Sequence, residues 1–425
     1  MAEPGQFQNR RLRLLAGTLL LGLSVLVVVS LALLTGVRGP FWMPVSSMES
    51  NELLSVACAS PTDCLSVGFS IDGDHYRPLV EHWDGAEWNI SPGQLPLIGM
   101  GTKLFGVACP STAHCFIVGA NIMHGHREHL LIAQWNGVSF GSMPYALPVG
   151  AASSALRGIS CASEQYCVAV GYYCSSKCVS STPVEQPMSE FWDGTAWTWA
   201  VASATSAQQF NGLYGVGCGR TRSCIAVGWS TSTVDQTLAE THTSGRWRLS
   251  STPNTSSAQN NDLYGIACTS RSQCFAVGYY SDAAGTFYGT LVLQWDGSHW
   301  FIAEPSSGVA LVPSALLSGV TCLTKPECLA VGTYCRHHCN VGGDGYRTLI
   351  EVWRGRTWKL ESSPNIGSQQ FNALDAISCA GASMCMAVGY YRDGIPSQTL
   401  TEVWNGATWK VIRSPSVQGF SGVQR

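Results

Sequence analysis

The stretch LLSVAC at residues 53–58, followed by CLSVG at residues 64–68, decides the fold because versions of it occur seven times in the chain. Each copy reads L-x-x-[VI]-x-C, then five residues, then a second cysteine that opens C-x-x-V-G. The copies begin near residues 53, 104, 156, 213, 263, 317 and 374, so the period is 50–57 residues. A period of this size is typical of a protein built from repeated supersecondary units.

Each copy has a second half marked by the motif W-x-G-x-x-W, clearest at residues 83–88 and 404–409. Two copies depart from it, with Phe140 in place of the last tryptophan and His242 in place of the first. Apolar and polar residues alternate on both sides of the motif, as in β-strands. Between them lies a strong hairpin-turn signal such as Asn405-Gly406. The first half reads as another hairpin, with residues 59–63 as a five-residue turn.

Two hairpins in each copy predict four antiparallel strands, which we call a, b, c and d. We therefore expect an all-β fold, a seven-bladed β-propeller with four-stranded antiparallel blades, preceded by one transmembrane helix. A solenoid is the alternative architecture. Copies three and six share an extra C-x3-C, which indicates a larger unit of three copies, and residues 420–423 resemble residues 317–320 and are expected to help close the ring.

The chain has 18 cysteines, and their spacing favours disulfides over metal or redox sites. A staple across each a–b hairpin explains the seven C-x5-C pairs, whereas a zinc site would need four ligands together. The C-x3-C at residues 335–339 encloses two histidines, but its counterpart at residues 174–178 has none, so a loop disulfide explains both. The predicted pairs are Cys58–Cys64, Cys109–Cys115, Cys161–Cys167, Cys174–Cys178, Cys218–Cys224, Cys268–Cys274, Cys322–Cys328, Cys335–Cys339 and Cys379–Cys385.

The N-terminal residues predict a membrane anchor. Residues 14–37 are 24 residues without a charge, long enough as a helix to cross the hydrocarbon core of a bilayer. Three arginines precede this segment and only Arg38 follows closely, which places residues 1–13 in the cytoplasm and the rest outside the cell membrane. Residues 38–51 read as a spacer and residues 52–425 as the propeller. A cleaved signal peptide is the alternative, but the apolar stretch is long and lacks an A-x-A site.

Composition and motifs exclude several function classes. With 24 Lys+Arg against 27 Asp+Glu, the chain has no basic field for nucleic acid. We find no nucleophile elbow, zincin motif or phosphate loop, and we predict no cofactor and no catalytic residue.

The histidines His124, His126 and His129 are the candidates for a metal or pH-sensing site, but a solvated loop explains them too. Glutamates recur two residues before the W-x-G motif, and this repetition favours a structural role: Glu81, Glu190, Glu240, Glu351 and Glu402.

The strand plan, with a glycine after strand b and a tryptophan in strand d, resembles the kelch propeller. The version with cysteines resembles tandem repeats of secreted, uncharacterised actinobacterial proteins. Kelch modules have two adjacent glycines where this chain has Val67-Gly68, so the resemblance is one of topology. Some kelch-like propellers are copper oxidases with a cysteine-modified tyrosine, but every cysteine here has a partner in the repeat scheme.

Function is expected on one face of the propeller. The a–b and c–d turns are nearly identical between copies, whereas the b–c loops vary, as at residues 70–77, 173–187 and 334–347. Because binding surfaces are commonly loops on a rigid scaffold, we expect a protein or cell-envelope glycan to bind the b–c/d–a face. One alternative is a glycan-active or oxidative enzyme, which would place a polar cluster at the mouth of the central channel. Another is a structural envelope protein, which would have a uniform face.

Overall fold

The computed structural model describes residues 50–415, except 92, 96–97, 126, 176–183, 204–209, 220–222, 244, 304–313, 324–326, 337–344, 368–369 and 394–395. Every regular element in these ranges is a β-strand. None of the described residues forms a helix with the length and apolar character of a membrane span. The predicted anchor at residues 14–37 and the predicted closing segment at residues 420–423 lie outside the described residues.

Each of the seven sequence copies forms a module of four strands, a to d in chain order. Module 1 consists of β1 (Ser50–Ser60), β2 (Asp63–Asp72), β3 (His75–Trp83) and β4 (Trp88–Ile90). Module 2 consists of β6 (Gly101–Ser111), β7 (His114–Ile122), β8 (Glu128–Trp135) and β9 (Phe140–Ser142). Module 3 consists of β10 (Ser153–Ser163), β11 (Tyr166–Cys174), β12 (Gln186–Trp192) and β13 (Trp197–Val201). Modules 4 and 5 consist of β14 (Phe210–Cys218), β15 (Cys224–Thr231), β16 (Asp235–Thr243) and β17 (Arg246–Ser250); and β18 (Asn260–Ser270), β19 (Gln273–Ser281), β20 (Tyr288–Trp295) and β21 (Trp300–Ile302). Modules 6 and 7 consist of β22 (Ser314–Cys322), β23 (Glu327–Cys335), β24 (Tyr346–Arg354) and β25 (Trp358–Glu361); and β26 (Phe371–Gly381), β27 (Met384–Arg392), β28 (Ser397–Trp404) and β29 (Trp409–Ile412).

The strands of each module pair antiparallel in the order a-b-c-d. One further strand, β5 (Gly93–Gln94), pairs parallel with β9. The first strand β1 begins at Ser50, slightly before the expected start near residue 53. The alternation of apolar and polar residues seen in the sequence thus produces the predicted all-β architecture of repeated four-stranded antiparallel sheets.

The modules are arranged around a centre formed by their a strands. Each a strand contacts the a strand of the next module, and β26 of module 7 contacts β1. The apolar cores lie between modules, as where Val277 of module 5 packs with Leu317 of module 6. Modules 7 and 1 share such a core through Met386, Val388 and Leu53. Because the hydrophobic contacts of each module need a neighbour, the last module stabilises the first.

Disulfides cross the a–b hairpins in the seven C-x5-C pairs. In module 1, Cys58 and Cys64 are opposite each other in the strand register. The expected five-residue turn is shorter than predicted, because β1 continues to Ser60 and β2 begins at Asp63, which leaves two turn residues. The b–c loop of module 1 is also shorter than expected, since β2 ends at Asp72 and β3 begins at His75.

Every a strand has a bulge at the second position of L-x-x-[VI]-x-C, such as Leu54 in module 1. The glycine of C-x-x-V-G packs beside this bulge on strand b. A Cβ added to Gly278 would lie 1.8 Å from the carbonyl oxygen of Asp262, and the six equivalent glycines have the same contact at 1.9–2.2 Å. The repeated glycine is therefore required by close approach of two backbones.

The tryptophans of W-x-G-x-x-W pack within and between the modules. The second tryptophan is buried, as at Trp88, Trp358 and Trp409. The rings of the first and second tryptophans are in contact, and in four modules Nε1 of the first donates to a carbonyl of the a–b turn, as from Trp192 to Glu164 at 2.9 Å. Both rings of module 3 also contact Phe116 of module 2, so the tryptophans pack between neighbouring modules.

Candidate functional site

One edge of each sheet collects residues that differ between modules. Strand a begins, strand b ends and strand c begins at this edge, which is the predicted b–c/d–a face. The bulge residues face one another around the centre, because the residue after each bulge packs against the bulge of the next module. A Cβ added to Gly158 would lie 2.5 Å from the carbonyl oxygen of Tyr214, and one at Gly215 would lie 2.6 Å from that of Tyr264. We call this region the channel mouth.

Charged residues of modules 2 and 3 meet at the channel mouth. Arg157, the bulge residue of module 3, donates from Nη2 to Glu128 at 2.8 Å, and the hydroxyl of Tyr172 donates to the same carboxylate. The Arg157 guanidinium lies 4.0 Å from the ring centroid of Phe105, the bulge residue of module 2. Burial raises the pKa of nearby Glu185 to about 8, although the charge of Arg157 acts in the opposite direction.

Aromatic residues of modules 4 and 5 line the next part of the channel mouth. We call Tyr214, Trp229, Tyr264 and Tyr279 the aromatic wall. Tyr214 stacks on Trp229 with ring centroids 3.8 Å apart, and Trp229 lies 5.4 Å from Tyr264. Tyr264 in turn stacks on Tyr279 at 5.8 Å. Tyrosine and tryptophan rings with polar ends suit a ligand that has both apolar and hydroxyl surface.

Asp262 is buried at the end of the aromatic wall. Its carboxylate accepts a hydrogen bond from the hydroxyl of Tyr279, and burial raises its pKa to about 8, with a smaller effect from Asp235. Its Oδ1 atom has no hydrogen-bond partner, and neither has Nε of Arg157. A buried acceptor and a buried donor without partners are costly to the fold.

The remainder of the mouth is built differently. The bulge residues of modules 1, 6 and 7 are Leu54, Ser318 and Asp375. The bulge position is therefore aromatic or basic in modules 2 to 5, whereas modules 1, 6 and 7 have an apolar, a hydroxyl and an acidic side chain there. Such asymmetry differs from the uniform face expected of a purely structural protein.

The histidine candidates do not form a described cluster. His124 lies in an exposed turn and His129 is exposed in β8, while His126 lies outside the described residues. Among the residues that the structure describes, no group of three or more His, Cys, Asp or Glu side chains is placed to hold a metal. Within the same run, Glu128 is the residue that contacts the channel mouth.

The recurring glutamates are buried between modules. Ser414 of module 7 donates to Glu81 of module 1 at 2.6 Å, and the backbone amide of Ser203 donates to Glu240 at 2.6 Å. The hydroxyl of Ser363 donates to Glu402 at 2.9 Å. Burial raises the pKa of four of these carboxyls to about 8: Glu81, Glu190, Glu240 and Glu402. These contacts connect one module to the next and agree with the predicted structural role.

The described cysteines are all in disulfides, and none of them is free. Cys174 and Cys335 are disulfide-bonded, while their predicted partners Cys178 and Cys339 lie outside the described residues.

The repeated motifs do not point to the residues of the channel mouth. Several of them occupy two positions that vary between copies: the second residue of L-x-x-[VI]-x-C, and the seventh residue before the first motif tryptophan or its replacement. The latter position is acidic in three consecutive modules, as Glu128, Glu185 and Asp235. Comparing the copies for variable rather than repeated residues would have found this signal.

No protein-family model and no curated protein sequence matches the chain. Solved structures with a similar fold include a polysaccharide lyase of family PL25, an ulvan lyase bound to a -[GlcA(1-4)Rha3S]- saccharide, at 8% identity and a TM-score of 0.54. That similarity covers 85% of this chain and 95% of the lyase. Together with the ring of four-stranded antiparallel sheets, it identifies the fold.

The fold is a β-propeller. Two weaker similarities are to the fucose-recognising lectin of Aleuria aurantia, a six-bladed propeller, and to Chaetomium thermophilum Sqt1 bound to the N-terminus of ribosomal protein L10. The lectin is 10% identical, with a TM-score of 0.42 and coverage of 75% of this chain and 96% of the lectin. Sqt1 is 10% identical, with a TM-score of 0.43 and coverage of 84% and 85%. No activity follows from similarities at these identities.

Proposed function

We propose that the chain is a membrane-anchored, extracytoplasmic, seven-bladed propeller, kelch-like in topology, that binds a glycan at the channel mouth. The seven modules are the blades, and the contacts between modules 7 and 1 close the ring. The disulfides of the described modules suit an oxidising compartment, and residues 14–37 have the length and apolarity of an anchor. An extracellular reporter fused after residue 425 should be active and should sediment with membranes; a soluble fusion would contradict the anchor.

The observation that supports glycan binding is the pairing of an aromatic wall with an unpartnered donor and acceptor. Sugar rings present apolar faces that stack on aromatic side chains, and each hydroxyl can donate and accept. Nε of Arg157 can donate to such a hydroxyl, and Oδ1 of Asp262 can accept from one. A glycan therefore satisfies both atoms in a way that an apolar ligand cannot.

The test is a glycan array probed with the full chain in mild detergent. We expect retention on a limited set of glycans, reversed by the corresponding free saccharide. Retention on no glycan, together with retention on a secreted protein, would replace the glycan with a protein partner.

A second candidate function is a glycan-active enzyme, favoured by the raised pKa of Glu185 at the channel mouth. A carboxyl with a pKa of about 8 is largely protonated at neutral pH and is able to act as a general acid. Incubation of the chain with the glycans that it retains should then release new reducing ends. Glu185→Gln should abolish that release without abolishing retention, and an unchanged glycan would remove this candidate.

A further inference from the structure

The junction between modules 1 and 2 has the same backbone construction as the junction between modules 5 and 6. At the first, Tyr76 on strand c forms a parallel bridge with Gly101 of the next module. At the second, Tyr288 forms the same bridge with Ser314. These are the two junctions at which the described residues show such a bridge. The repeat register therefore allows their side chains to be compared position by position.

Acidic and aromatic residues occupy equivalent positions at the two junctions. Glu52 is opposite Phe69 in module 1, and Asp262 is opposite Tyr279 in module 5. Both acidic residues are buried. Each junction also has a tyrosine at the bridge, as described above. Each junction thus has one carboxyl group and two aromatic rings.

Of the two junctions, only the first has a lysine. Lys103 lies two residues after Gly101, and its ammonium is 3.9 Å from the ring centroid of Tyr76 and 4.8 Å from that of Phe69. The residue two positions after Ser314 is Leu316. In the part of the chain that the structure describes, no Lys or Arg group lies over the ring of Tyr279. Residues 304–313, which lead into this junction, contain no Lys or Arg in the sequence.

The second junction also has a polar atom that its leucine cannot satisfy. Oδ1 of Asp262 is without a hydrogen-bond partner, and the residue is 3% exposed. Asp262 shares a face with Tyr279, which stacks on the bulge residue Tyr264, so the carboxyl lies at the channel mouth. Aromatic rings beside a carboxylate are a general environment for an ammonium ion.

We infer that the junction of modules 5 and 6 binds an ammonium group of the ligand, at the place that Lys103 fills in the first junction. This inference rests on the proposed function for the carrier of that group, which is then a glycan with a free, unacetylated amino group. The ligand's ammonium donates to Oδ1 of Asp262 and lies over Tyr279, and its positive charge favours the ionised form of that carboxyl. No covalent step is involved.

The test is calorimetric titration of the full chain in mild detergent with glucosamine oligomers, their N-acetylated forms, glucose oligomers and choline. The free amine should bind about tenfold more tightly than the acetylated and neutral oligomers, as expected for a desolvated cation beside aromatic rings. Choline, which has a permanent ammonium charge and no sugar, should bind weakly at the same junction.

Two matched variants and a third at Asp262 locate the site. Leu316→Lys supplies an internal ammonium and should abolish choline binding and the preference for the free amine. Lys103→Leu vacates the first junction and should add a second choline site. Asp262→Asn, which is nearly isosteric, should lower choline affinity about tenfold and covers the case in which Leu316→Lys does not fold.

The outcomes separate the two proposals. Choline binding that Leu316→Lys abolishes, with no saccharide bound, supports the ammonium site and overturns the glycan proposal. Equal binding of acetylated and free oligomers, unaffected by Leu316→Lys, overturns the ammonium site and leaves the glycan proposal intact. Binding of neither choline nor any oligomer overturns the ammonium site, and retention on no glycan of the array overturns the glycan proposal as well.

Discussion

Replacement of Glu402 by glutamine tests how the buried glutamates act between modules. The side chain is fully buried, and Ser363 Oγ donates to its two oxygens at 2.9 and 3.1 Å. Burial raises its pKa from 4.5 to about 8, against the effect of the Ser363 hydrogen bond. Glutamine is close in shape and keeps an oxygen for Ser363, but it does not titrate.

The sign of the effect follows from proton linkage. Below pH 4.5 the carboxyl is protonated in both the folded and the unfolded chain. Between pH 4.5 and about 8 the unfolded chain loses this proton while the folded chain retains it, so folding stability falls as the pH rises. At about 1.4 kcal/mol per pH unit, the free energy of unfolding that is lost once the pH exceeds 8 is on the order of 5 kcal/mol.

We therefore expect Glu402→Gln to gain stability over the native chain as the pH rises from 5 to 8.5, and to differ little from it near pH 4. The difference in urea midpoint between the two proteins, measured across this range, isolates Glu402 from the other buried glutamates. Glu87→Gln, an exposed change in a c–d turn, is the control and should show no such trend. Parallel pH curves for Glu402→Gln and the native chain would refute the reasoning.

Two further predictions concern the modules themselves. Gly278→Ala places a Cβ against the carbonyl oxygen of Asp262 and should destabilise by about 3 kcal/mol or prevent folding, whereas Gly381→Ala, with open space at its Cβ, should change the melting temperature little. Cys58→Ser combined with Cys64→Ser should lower the free energy of unfolding by about 2 kcal/mol in urea titration, because a seven-residue loop is no longer closed in the unfolded chain. Equal melting temperatures for the two glycine variants, or an unchanged urea midpoint for the cysteine variant, would contradict these accounts.

The repeated residues predicted the fold because they perform the same task in each module. The C-x5-C spacing predicted the a–b hairpins, and the W-x-G-x-x-W motif predicted the c–d hairpins, as where Trp353 pairs with Trp358. The lengths of the strands were harder to predict from the sequence. Residues 59–63 have turn-like composition, but the strand pairing extends past Cys58 to Ser60.

The channel mouth could not be predicted from the repeats because its residues are those that do not repeat. Arg157 and Tyr264 occupy the same bulge position as Leu54, and only the ring arrangement brings them to one centre. Sequence spacing alone also gave no reason to single out Asp262, whose importance comes from burial beside Tyr279. The existence of the bulge, which turns this position inward, depends on strand pairing rather than on residue type.

The central claim is that the aromatic side of the channel mouth binds the glycan. Tyr264→Ala and Leu54→Ala change the same bulge position on opposite sides of the mouth, so they form a matched pair. Glycan-array retention of the full chain should be lost in Tyr264→Ala and kept in Leu54→Ala, provided that both variants keep the native melting temperature. Retention by both variants, or loss in both, would contradict the assignment of the site to this wall.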